Sequence, residues 1–274
     1  MNRVIVNIIL LVMLAGCVKQ TEWPVPDQSS GLISVNAILT DEQRIHSITI
    51  TLPVSEPNAI PHPVTGATVL ITTADSLWFL TEDSVHPGNY LSDSTLVAIL
   101  NTGYTMQINW EEKNYSAQAS MVPGEVFNEL IYKKNEGDDL YHIDWVASAF
   151  SVDNPAMWEV LIDWSFLPGF DTLDPAICRA RLLFYTLPTL DVSQIFAPVV
   201  EQTSFPIGSV ITERRYSLAP GHAEFIRQLL LETNWQGSMF PTANANVITN
   251  LSPGAIGYFG VCAVTELSLV VELR

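Results

Sequence analysis

Residues 47–52 read Ser-Ile-Thr-Ile-Thr-Leu, a run in which polar and apolar side chains alternate one by one. Because successive side chains of a β-strand point to opposite faces, this period of two predicts a strand that buries Ile48, Ile50 and Leu52 on one face. Similar runs stand at 67–72 and 104–110. The alternation predicts a mainly β protein.

Turn-forming residues separate these runs. They stand at 53–63, 86–89, 101–103 and 111–114. Roughly seven short strands spaced by such turns within roughly ninety residues are typical of an immunoglobulin-like β-sandwich. We therefore predict an N-terminal immunoglobulin-like β-sandwich over residues 31–123, with its boundary at Val122-Pro123-Gly124.

The segment 124–274 is also rich in alternating runs, and it contains one helical pattern. One predicted strand buries a face that consists of Trp158, Val160, Ile162, Trp164 and Phe166, and the strand before it has a face that consists of Tyr141, Ile143, Trp145, Ala147 and Ala149. Between Pro220 and Trp235 the apolar residues recur at helical spacing instead, with proline near the start and a glycine just beyond the end. These features predict a second β-rich domain with one helix near 220–235.

The N-terminal residues carry the pattern of an exported lipoprotein. Arg3 precedes an apolar run at 4–14, about half the ~20 residues that a membrane-spanning helix needs. The run leads into four residues that resemble the lipobox of bacterial lipoproteins, namely Leu14, Ala15, Gly16 and Cys17. We predict a signal peptide at 1–16, acyl chains on Cys17 and a flexible tether at 17–30. An ordinary signal peptide with a chance cysteine is the alternative.

The charge of the chain argues against two classes of partner. Lysine and arginine number 12 against 29 aspartate and glutamate residues among 274, which gives a formal net charge of −17. Nucleic-acid binding depends on cations that neutralise phosphates, so this balance argues against it. It also argues against a basic patch for anionic membrane surfaces. Acidity of this degree keeps an exported protein soluble.

Beyond Cys17 the chain has two cysteines, Cys178 and Cys262. An exported compartment permits a disulfide between them, whereas their strand-like neighbourhoods favour free, buried thiols. The sequence has no zinc-ligand spacing, P-loop or dinucleotide-binding glycine turn, and Gly208 and Gly237 lack the second glycine of a nucleophile elbow. We therefore predict no catalytic residues, no metal and no cofactor.

Three groups of residues leave alternatives open. An acidic group is most simply a solvated hairpin turn, with calcium binding or acid–base chemistry as the alternative; it consists of Glu136, Asp138, Asp139 and Asp144. Five tryptophans alternate with other apolar residues, which favours core packing over a sugar-stacking platform; they are Trp78, Trp110, Trp145, Trp158 and Trp164. Arg214 and Arg215 interrupt a β-like run, most simply as a surface pair and alternatively as partners of acidic groups.

Several stretches, in order along the chain, are similar to one family. They are Gly31 to Asp41, Pro63 to Ile71, His86 to Tyr90, Gly103-Tyr104, Tyr115 to Ala117, and Leu251 to Gly260 with its closing Gly-Tyr-Phe-Gly. Together with the lipobox they resemble the Bacteroidetes lipoproteins grouped as domain of unknown function 4249. The resemblance spans nearly the whole mature chain. It implies an outer-membrane lipoprotein with an immunoglobulin-like N-terminal part, often encoded beside TonB-dependent receptors, and it implies no catalytic residues.

These observations together predict a non-enzymatic lipoprotein of the outer membrane, with its anchor on either the periplasmic or the cell-surface face. The predicted role is that of an accessory or ligand-capturing partner of a TonB-dependent receptor in nutrient uptake, as the family resemblance implies. Two alternatives come from other classes of protein. One is a surface glycan hydrolase that uses a pair of carboxylates, and the other is an adhesin or matrix lipoprotein.

Overall fold

The computed structural model describes residues 31–54, 59–189, 203–233 and 247–273. The predicted signal peptide, lipobox and tether lie outside these ranges. Within them the chain forms fifteen β-strands, one α-helix and one 3-10 helix. The elements are β1 (Ile33–Thr40), β2 (Ser47–Thr51), β3 (Thr68–Thr72), β4 (Leu77–Glu82), β5 (Asn89–Leu91), β6 (Gly103–Trp110), β7 (Lys113–Ser120), β8 (Ile131–Lys134), β9 (Leu140–Trp145), β10 (Ala156–Asp163), the 3-10 helix (Pro175–Cys178), β11 (Arg179–Thr186), β12 (Phe205–Pro206), β13 (Val210–Ser217), α1 (Pro220–Thr233), β14 (Ala255–Cys262) and β15 (Val264–Val270).

Eight strands form the first sheet, in the order β14-β1-β2-β5-β4-β3-β6-β7. All neighbours are antiparallel except β14 and β1, which run parallel along their full length. The two ends of the sheet approach one another, because Ala117 of β7 bridges Leu251 and Val122 bridges Cys262 of β14. The sheet is therefore rolled, with β14 close to β7.

The first core cluster fills the inside of this rolled sheet. Ile48 and Ile50 of β2, like Met106 and Ile108 of β6, have no exposed surface, whereas the residues between them are partly or fully exposed. Leu52 packs against the cluster from its margin. Burial of an aliphatic side chain contributes roughly 1.5–3 kcal/mol, so the alternating runs supply the driving force for this sheet. The predicted burial of Ile48 and Ile50 is confirmed.

Two smaller sheets share the second core cluster. β11, β10, β13 and β15 form an antiparallel sheet of four strands, and β12, β9 and β8 form a sheet of three. Trp158, Val160 and Ile162 of β10 are buried in this cluster. Tyr132 and Tyr141 of the three-stranded sheet belong to the same cluster, with their rings 5.9 Å apart edge to face. The predicted face is confirmed for Trp158, Val160, Ile162 and Trp164, whereas Phe166 lies beyond the end of β10 and is 54% exposed. In the run 141–149 the strand ends at Trp145, which is 43% exposed.

Helix α1 buries one side in a third cluster. Ala223, Ile226 and Leu230 recur at spacings of three and four residues, so they share one face of the helix. Tyr216 of β13 and Cys262 of β14 belong to the same cluster, which places the helix against strands of both large sheets. The predicted helix is confirmed from Pro220 to Thr233. No helix in the described ranges is both long and apolar enough to span a membrane.

The mainly β class with one α-helix is confirmed for the described residues. The immunoglobulin-like sandwich and the domain boundary at residue 123 stay predictions. One strand pairing crosses that boundary: β14 belongs to the second segment but pairs with β1. Ala263 alone separates β14 from β15, which pairs with β13 in the four-stranded sheet. One short stretch of chain therefore takes part in both large sheets.

β14 and β1 approach closely because residue 257 is glycine. Gly257 lies opposite Val35 and has a φ of +100°, a backbone conformation that other residues rarely adopt. A Cβ atom at this position would lie 2.0 Å from the carbonyl oxygen of Val35. Glycine is therefore required for the parallel pairing in its present geometry.

We expect Gly257→Ala to lower the free energy of unfolding by about 3 kcal/mol, since the added methyl group meets backbone atoms and the backbone is strained as well. Denaturant unfolding of the variant and the parent protein measures the difference. Gly103→Ala is the matched control, because a Cβ at Gly103 meets nothing within 4 Å. A loss at Gly257 no larger than the loss at Gly103 would contradict this account of the β1–β14 pairing.

Candidate functional site

Strand β13 carries charged residues on both faces, and it is central in its sheet, between β10 and β15. Glu213 and Arg215 share the face of Ile211, which belongs to the second core cluster. Arg214 and Tyr216 lie on the opposite face. Because strand residues alternate, the adjacent arginines of the sequence are placed on opposite faces of the sheet.

Arg214 lies at the centre of a set of ion pairs and hydrogen bonds that we call the Arg214 network, which consists of Glu42, Arg44, Glu159, Arg181, Arg214, Tyr216 and Glu266. The Arg214 side chain is only 11% exposed. Its Nη1 lies 3.1 Å from Glu159 Oε2, and its Nε lies 3.4 Å from Glu266 Oε2. Nη2 donates a hydrogen bond to Glu42 Oε1. Arg214 is therefore surrounded by three carboxylates.

Glu159, opposite Arg214 in the β10–β13 pair, accepts from three side chains. Arg181 Nε donates at 2.6 Å to Oε1, and the Tyr216 hydroxyl donates at 2.8 Å to Oε2, the oxygen that also accepts from Arg214. Burial would raise the pKa of Glu159, but hydrogen bonds from Arg181 and Tyr216 outweigh it, so the pKa lies below its usual value. Burial and the bond to Glu159 together raise the pKa of Tyr216. Glu159 is thus held as a carboxylate.

The Arg214 network joins the two large sheets. Glu42 follows β1 of the first sheet, where Thr40 Oγ1 donates to its Oε2 at 2.9 Å and Arg44 Nε lies 3.5 Å away. Arg214 and Glu159 belong to the four-stranded sheet. Buried ion pairs contribute little net stability because of their desolvation cost, whereas loss of one partner leaves an uncompensated charge. The network therefore fixes how the β1–β2 connection meets the second sheet.

These groups are poorly suited to catalysis. A general acid needs a carboxyl that is protonated near neutral pH, whereas the pKa of Glu159 is lowered. Arg214 and Glu159 have side chains that are 11% and 9% exposed, so a substrate has little access to either. The charges neutralise one another within the network. Each charged side chain of the network lies beside one of opposite sign, although Arg214 Nε has no hydrogen-bond partner among the described residues.

Sequence reasoning missed most of this network. Glu159 stands between Trp158 and Val160 in a run that is otherwise apolar, and Arg214 stands in a similar run. A charge inside a strand with two buried faces needs a partner, and that signal was available in the sequence. The sequence could not show which residues are the partners, because Glu42 lies 172 positions from Arg214.

The prediction that Arg214 and Arg215 form a surface pair is wrong. The Arg215 side chain is 4% exposed, and its guanidinium lies 5.6 Å from the centre of the Trp158 ring. Nη2 donates to the carbonyl oxygen of Asn154 at 3.2 Å and lies 3.6 Å from Glu125. The reason is that β13 is covered on both faces, by the second core cluster on one and by the third cluster and the Arg214 network on the other. Both arginines instead pair with acidic groups, which is the alternative that the sequence left open.

Glu213 is a buried carboxyl without a cation contact among the described residues. It is 1% exposed, and its Oε2 accepts from the Leu130 amide at 3.2 Å, whereas Oε1 has no hydrogen-bond partner there. Burial raises the pKa of Glu213 to about 7; the Leu130 bond opposes this shift and the charge of nearby Glu129 adds to it. Glu213 is thus a core carboxyl with a pKa near neutrality, and the irregular segment that contains Leu130 lies against it.

Cys262 and His222 form the one thiol–imidazole contact in the described residues, with Sγ 3.8 Å from Nδ1. Burial raises the pKa of the Cys262 thiol to about 12 and lowers the pKa of His222 to about 4. A cysteine nucleophile needs a thiolate, so this neutral pair is inert. The His222 ring stacks on Tyr258 at 4.8 Å, and a Cβ at Gly260 would lie 2.4 Å from it. The contact packs α1 onto β14.

Cys178 and Cys262 are both free thiols, and both are buried. Cys178 packs in the second core cluster and Cys262 in the third, so the alternative of a disulfide between them is not formed. The Cys178 thiol lies 3.9 Å from the carbonyl oxygen of Phe170. Cys17 and the other lipobox residues lie outside the described ranges.

The prediction of a solvated hairpin turn is confirmed for Glu136, Asp138 and Asp139, which are exposed between β8 and β9, whereas Asp144 lies in β9. Asp139 and Asp144 pair with lysines of the same hairpin. Lys134 Nζ lies 2.6 Å from Asp139 Oδ1, and Lys133 Nζ lies 3.0 Å from Asp144 Oδ2. No group of three or more His, Cys, Asp or Glu residues in the described ranges is placed to hold a metal ion.

The tryptophans are divided between clusters. Trp158 and Trp164 are buried in the second core cluster, and Trp78 and Trp110 pack against the first. Trp145 is 43% exposed. Core packing is therefore confirmed for four of the five, and the set does not form a single platform.

Comparison of the chain with models of known protein families and with curated proteins finds no match. The resemblance to the Bacteroidetes lipoproteins therefore stays a prediction. The Arg214 network, the Glu213 carboxyl and the Cys262–His222 pair carry the structural argument about function.

We expect Arg214→Met to lower the free energy of unfolding by about 3 kcal/mol, because Glu42 and Glu159 then lose their shared cation while partly buried. Denaturant unfolding at neutral pH measures the change. Lys133→Met is the matched control, since it removes one partner of an ion pair whose lysine is 61% exposed, and it should cost less than about 1 kcal/mol. Equal costs for the two variants would contradict the buried role of Arg214.

Glu213 should make stability fall as the pH rises. Its pKa, about 7 in the folded protein against 4.5 as the ordinary value, favours the protonated form. Its stabilising contribution is full below pH 4.5 and is lost as the pH rises through 7, which costs of the order of 3 kcal/mol at alkaline pH. Glu213→Gln, a neutral group of the same shape, should remove this dependence. Urea unfolding at pH 5 and pH 8 measures the dependence, and exposed Glu136→Gln is the control. If the parent protein and Glu213→Gln lost the same stability between the two pH values, the assignment to Glu213 would be contradicted.

Proposed function

We propose that this chain is a non-enzymatic lipoprotein of a bacterial outer membrane, anchored by acyl chains on Cys17, and that it is an accessory or ligand-capturing partner of a TonB-dependent receptor. The observation that carries the proposal is Leu14-Ala15-Gly16-Cys17 at the end of a short apolar run. Two or more acyl chains anchor a protein stably, at about 0.8 kcal/mol for each buried CH₂ group. The family resemblance supports the outer membrane and the receptor.

The structural use of the ionisable groups supports a non-enzymatic role. Glu159 and Arg214 are ion-paired with one another and with neighbours in the Arg214 network. Cys262 and His222 are both buried and uncharged at neutral pH. Residue types that serve as acids, bases or nucleophiles in enzymes here hold the sheets and the helix together.

A surface glycan hydrolase is the second candidate, and one observation favours it. Glycosidases use two carboxyls, one of them a general acid with a raised pKa, and the pKa of Glu213 is raised to about 7. Glu213 is only 1% exposed, however, and it accepts from the Leu130 amide. A glycosidic oxygen would need direct contact with this carboxyl, so the burial of Glu213 supports the binding protein over the hydrolase.

We further propose that residues 31–123 form an immunoglobulin-like unit and that residues 124–274 form a second β-rich unit with the helix. The consecutive strands β1 to β7, which share the first sheet, support the first unit. β8 to β13, which lie in the other two sheets, support the second. In this arrangement β14 is a strand that the second unit adds to the sheet of the first.

The anchor is tested in a bacterial host that processes lipoproteins. We expect the full chain to incorporate an alkyne-tagged fatty acid and to fractionate with the outer membrane. The double variant Cys17→Ser, Ser30→Cys should lose both properties, because it keeps the number of cysteines but destroys the lipobox. Gel fluorescence after coupling of a dye to the alkyne measures the label. Labelling of the double variant equal to that of the parent would refute Cys17 as the anchor.

The partner is tested by affinity purification from detergent-solubilised outer membranes at native expression. The proposal expects a TonB-dependent receptor in comparable amount, and loss of the chain should reduce uptake of that receptor's nutrient. A chain that purifies alone contradicts the partnership. Normal uptake combined with poor attachment of cells lacking the chain would favour the adhesin or matrix role instead.

A further inference from the structure

The outer edge of β11 presents main-chain hydrogen-bonding groups. In an antiparallel pair only alternate residues bond to the neighbouring strand. The Trp164 amide donates to the Cys178 carbonyl at 3.1 Å, and from this point the β10–β11 register pairs Ala180 with Ile162. Even-numbered residues therefore bond to β10. Odd-numbered residues of β11 direct their N–H and C=O groups to the opposite edge.

The last part of this edge is already used for pairing. Leu187 donates to the carbonyl of Ala149 at 3.0 Å and accepts from the amide of Ser151 at 3.0 Å, as an odd-numbered residue should. Along 179–185 no residue in the described ranges pairs with the same edge. An open strand edge is a template for another strand, and among the described residues a short stretch of chain occupies only the end of this edge.

Two arginines stand along the open stretch. Arg179 Nε donates to Asp163 at 2.8 Å, and Arg181 Nε donates to Glu159 at 2.6 Å. The two arginine side chains are 58% and 62% exposed, and their Nη groups make no hydrogen bond to a described residue. Each guanidinium is thus tethered through Nε, which leaves its planar pair of Nη donors oriented in advance for a carboxylate.

The spacing of these arginines matches an extended peptide. Residues two positions apart on one strand share a face and lie roughly 6.6 Å apart, which is also the spacing of carboxylates at alternate positions of a partner strand. Leu183 continues the same face and is 41% exposed. Both arginines are ion-paired through Nε, and their Nη groups are the cationic hydrogen-bond donors along this edge that no described residue uses.

We propose that the open edge of β11 binds an extended acidic segment of a partner protein by strand addition. Carboxylates at alternate positions of that segment contact Arg179 and Arg181, and an apolar side chain two positions further contacts Leu183. The main chain of the segment pairs with the outward groups of the odd-numbered residues. This inference goes beyond the proposed membrane role and does not depend on the lipid anchor.

The test measures binding of fluorescent peptides to the purified full chain in detergent. The first peptide has the core Thr-Glu-Thr-Glu-Thr-Val-Thr with blocked ends. The second replaces both glutamates by glutamine, and the third keeps the sequence but is N-methylated at its five central residues. We expect the first alone to bind, with an affinity that falls as salt is added. Equal binding of the first and third would overturn strand addition in favour of a polyanion site, and absence of binding by the first would overturn the proposal.

Variants of the chain locate the contact. Arg179→Gln and Arg181→Gln should each weaken the first peptide about tenfold, as loss of a charge-assisted bidentate contact does. Arg181→Lys should recover only part of the loss, because lysine keeps the charge but lacks the fork. Lys133→Gln is the control, since Lys133 is 61% exposed and pairs with one carboxylate in another sheet. Equal weakening by the control would overturn the assignment to β11. Thermal unfolding checks that each variant is folded. If Arg181→Gln is unfolded, the binding measured with Arg179→Gln decides the test.

Discussion

The parallel pairing of β1 with β14 is the constraint on which the other contacts depend. It brings a late strand beside the first strand of the rolled sheet, and the close approach of Gly257 to Val35 sets the geometry. Ala263 follows at once and leads into β15 of the four-stranded sheet. The same pairing presents Gly260 to His222 of α1. One backbone contact that only glycine allows thus positions the rolled sheet, the second sheet and the helix.

Charge is the second organising feature, and it is used inside the protein as well as on its surface. The chain is strongly acidic, yet Arg215 is buried and the Arg214 side chain is only 11% exposed, on opposite faces of one strand. Arg214 pairs with Glu159 of the four-stranded sheet and with Glu42, which follows β1 of the first sheet, whereas the Arg215 guanidinium lies over the Trp158 ring. Because buried charges require partners, an arrangement of the sheets that separated Arg214 from Glu42 and Glu159 would leave charges uncompensated. Groups that resemble catalytic residues in type are therefore structural in use.

Several elements could be predicted from local pattern because their physical cause is local. Alternation placed Ile48 and Ile50 in a core, and apolar spacing with Pro220 near the start placed α1. The hairpin at 135–139 follows from its turn residues. The surface interpretation of Arg214 and Arg215 was wrong for a non-local reason. A charge in a strand is exposed or buried according to what covers its face, and the covering residues come from distant parts of the chain.

The sequence by itself determined the β class, the helix, the alternating core residues and the expectation of a lipid anchor at Cys17, because periodicity, turn chemistry and a short N-terminal motif are properties of neighbouring residues. Only the tertiary structure decided that β14 joins the first sheet, that Glu42 meets Arg214 across 172 positions, and that Glu213 is buried without a cation contact among the described residues. It also decided that Arg179 and Arg181 lie along a strand edge with which no other described strand pairs. The reason is that strand partners are chosen by packing and hydrogen bonding between remote segments, for which one sequence carries no local signal.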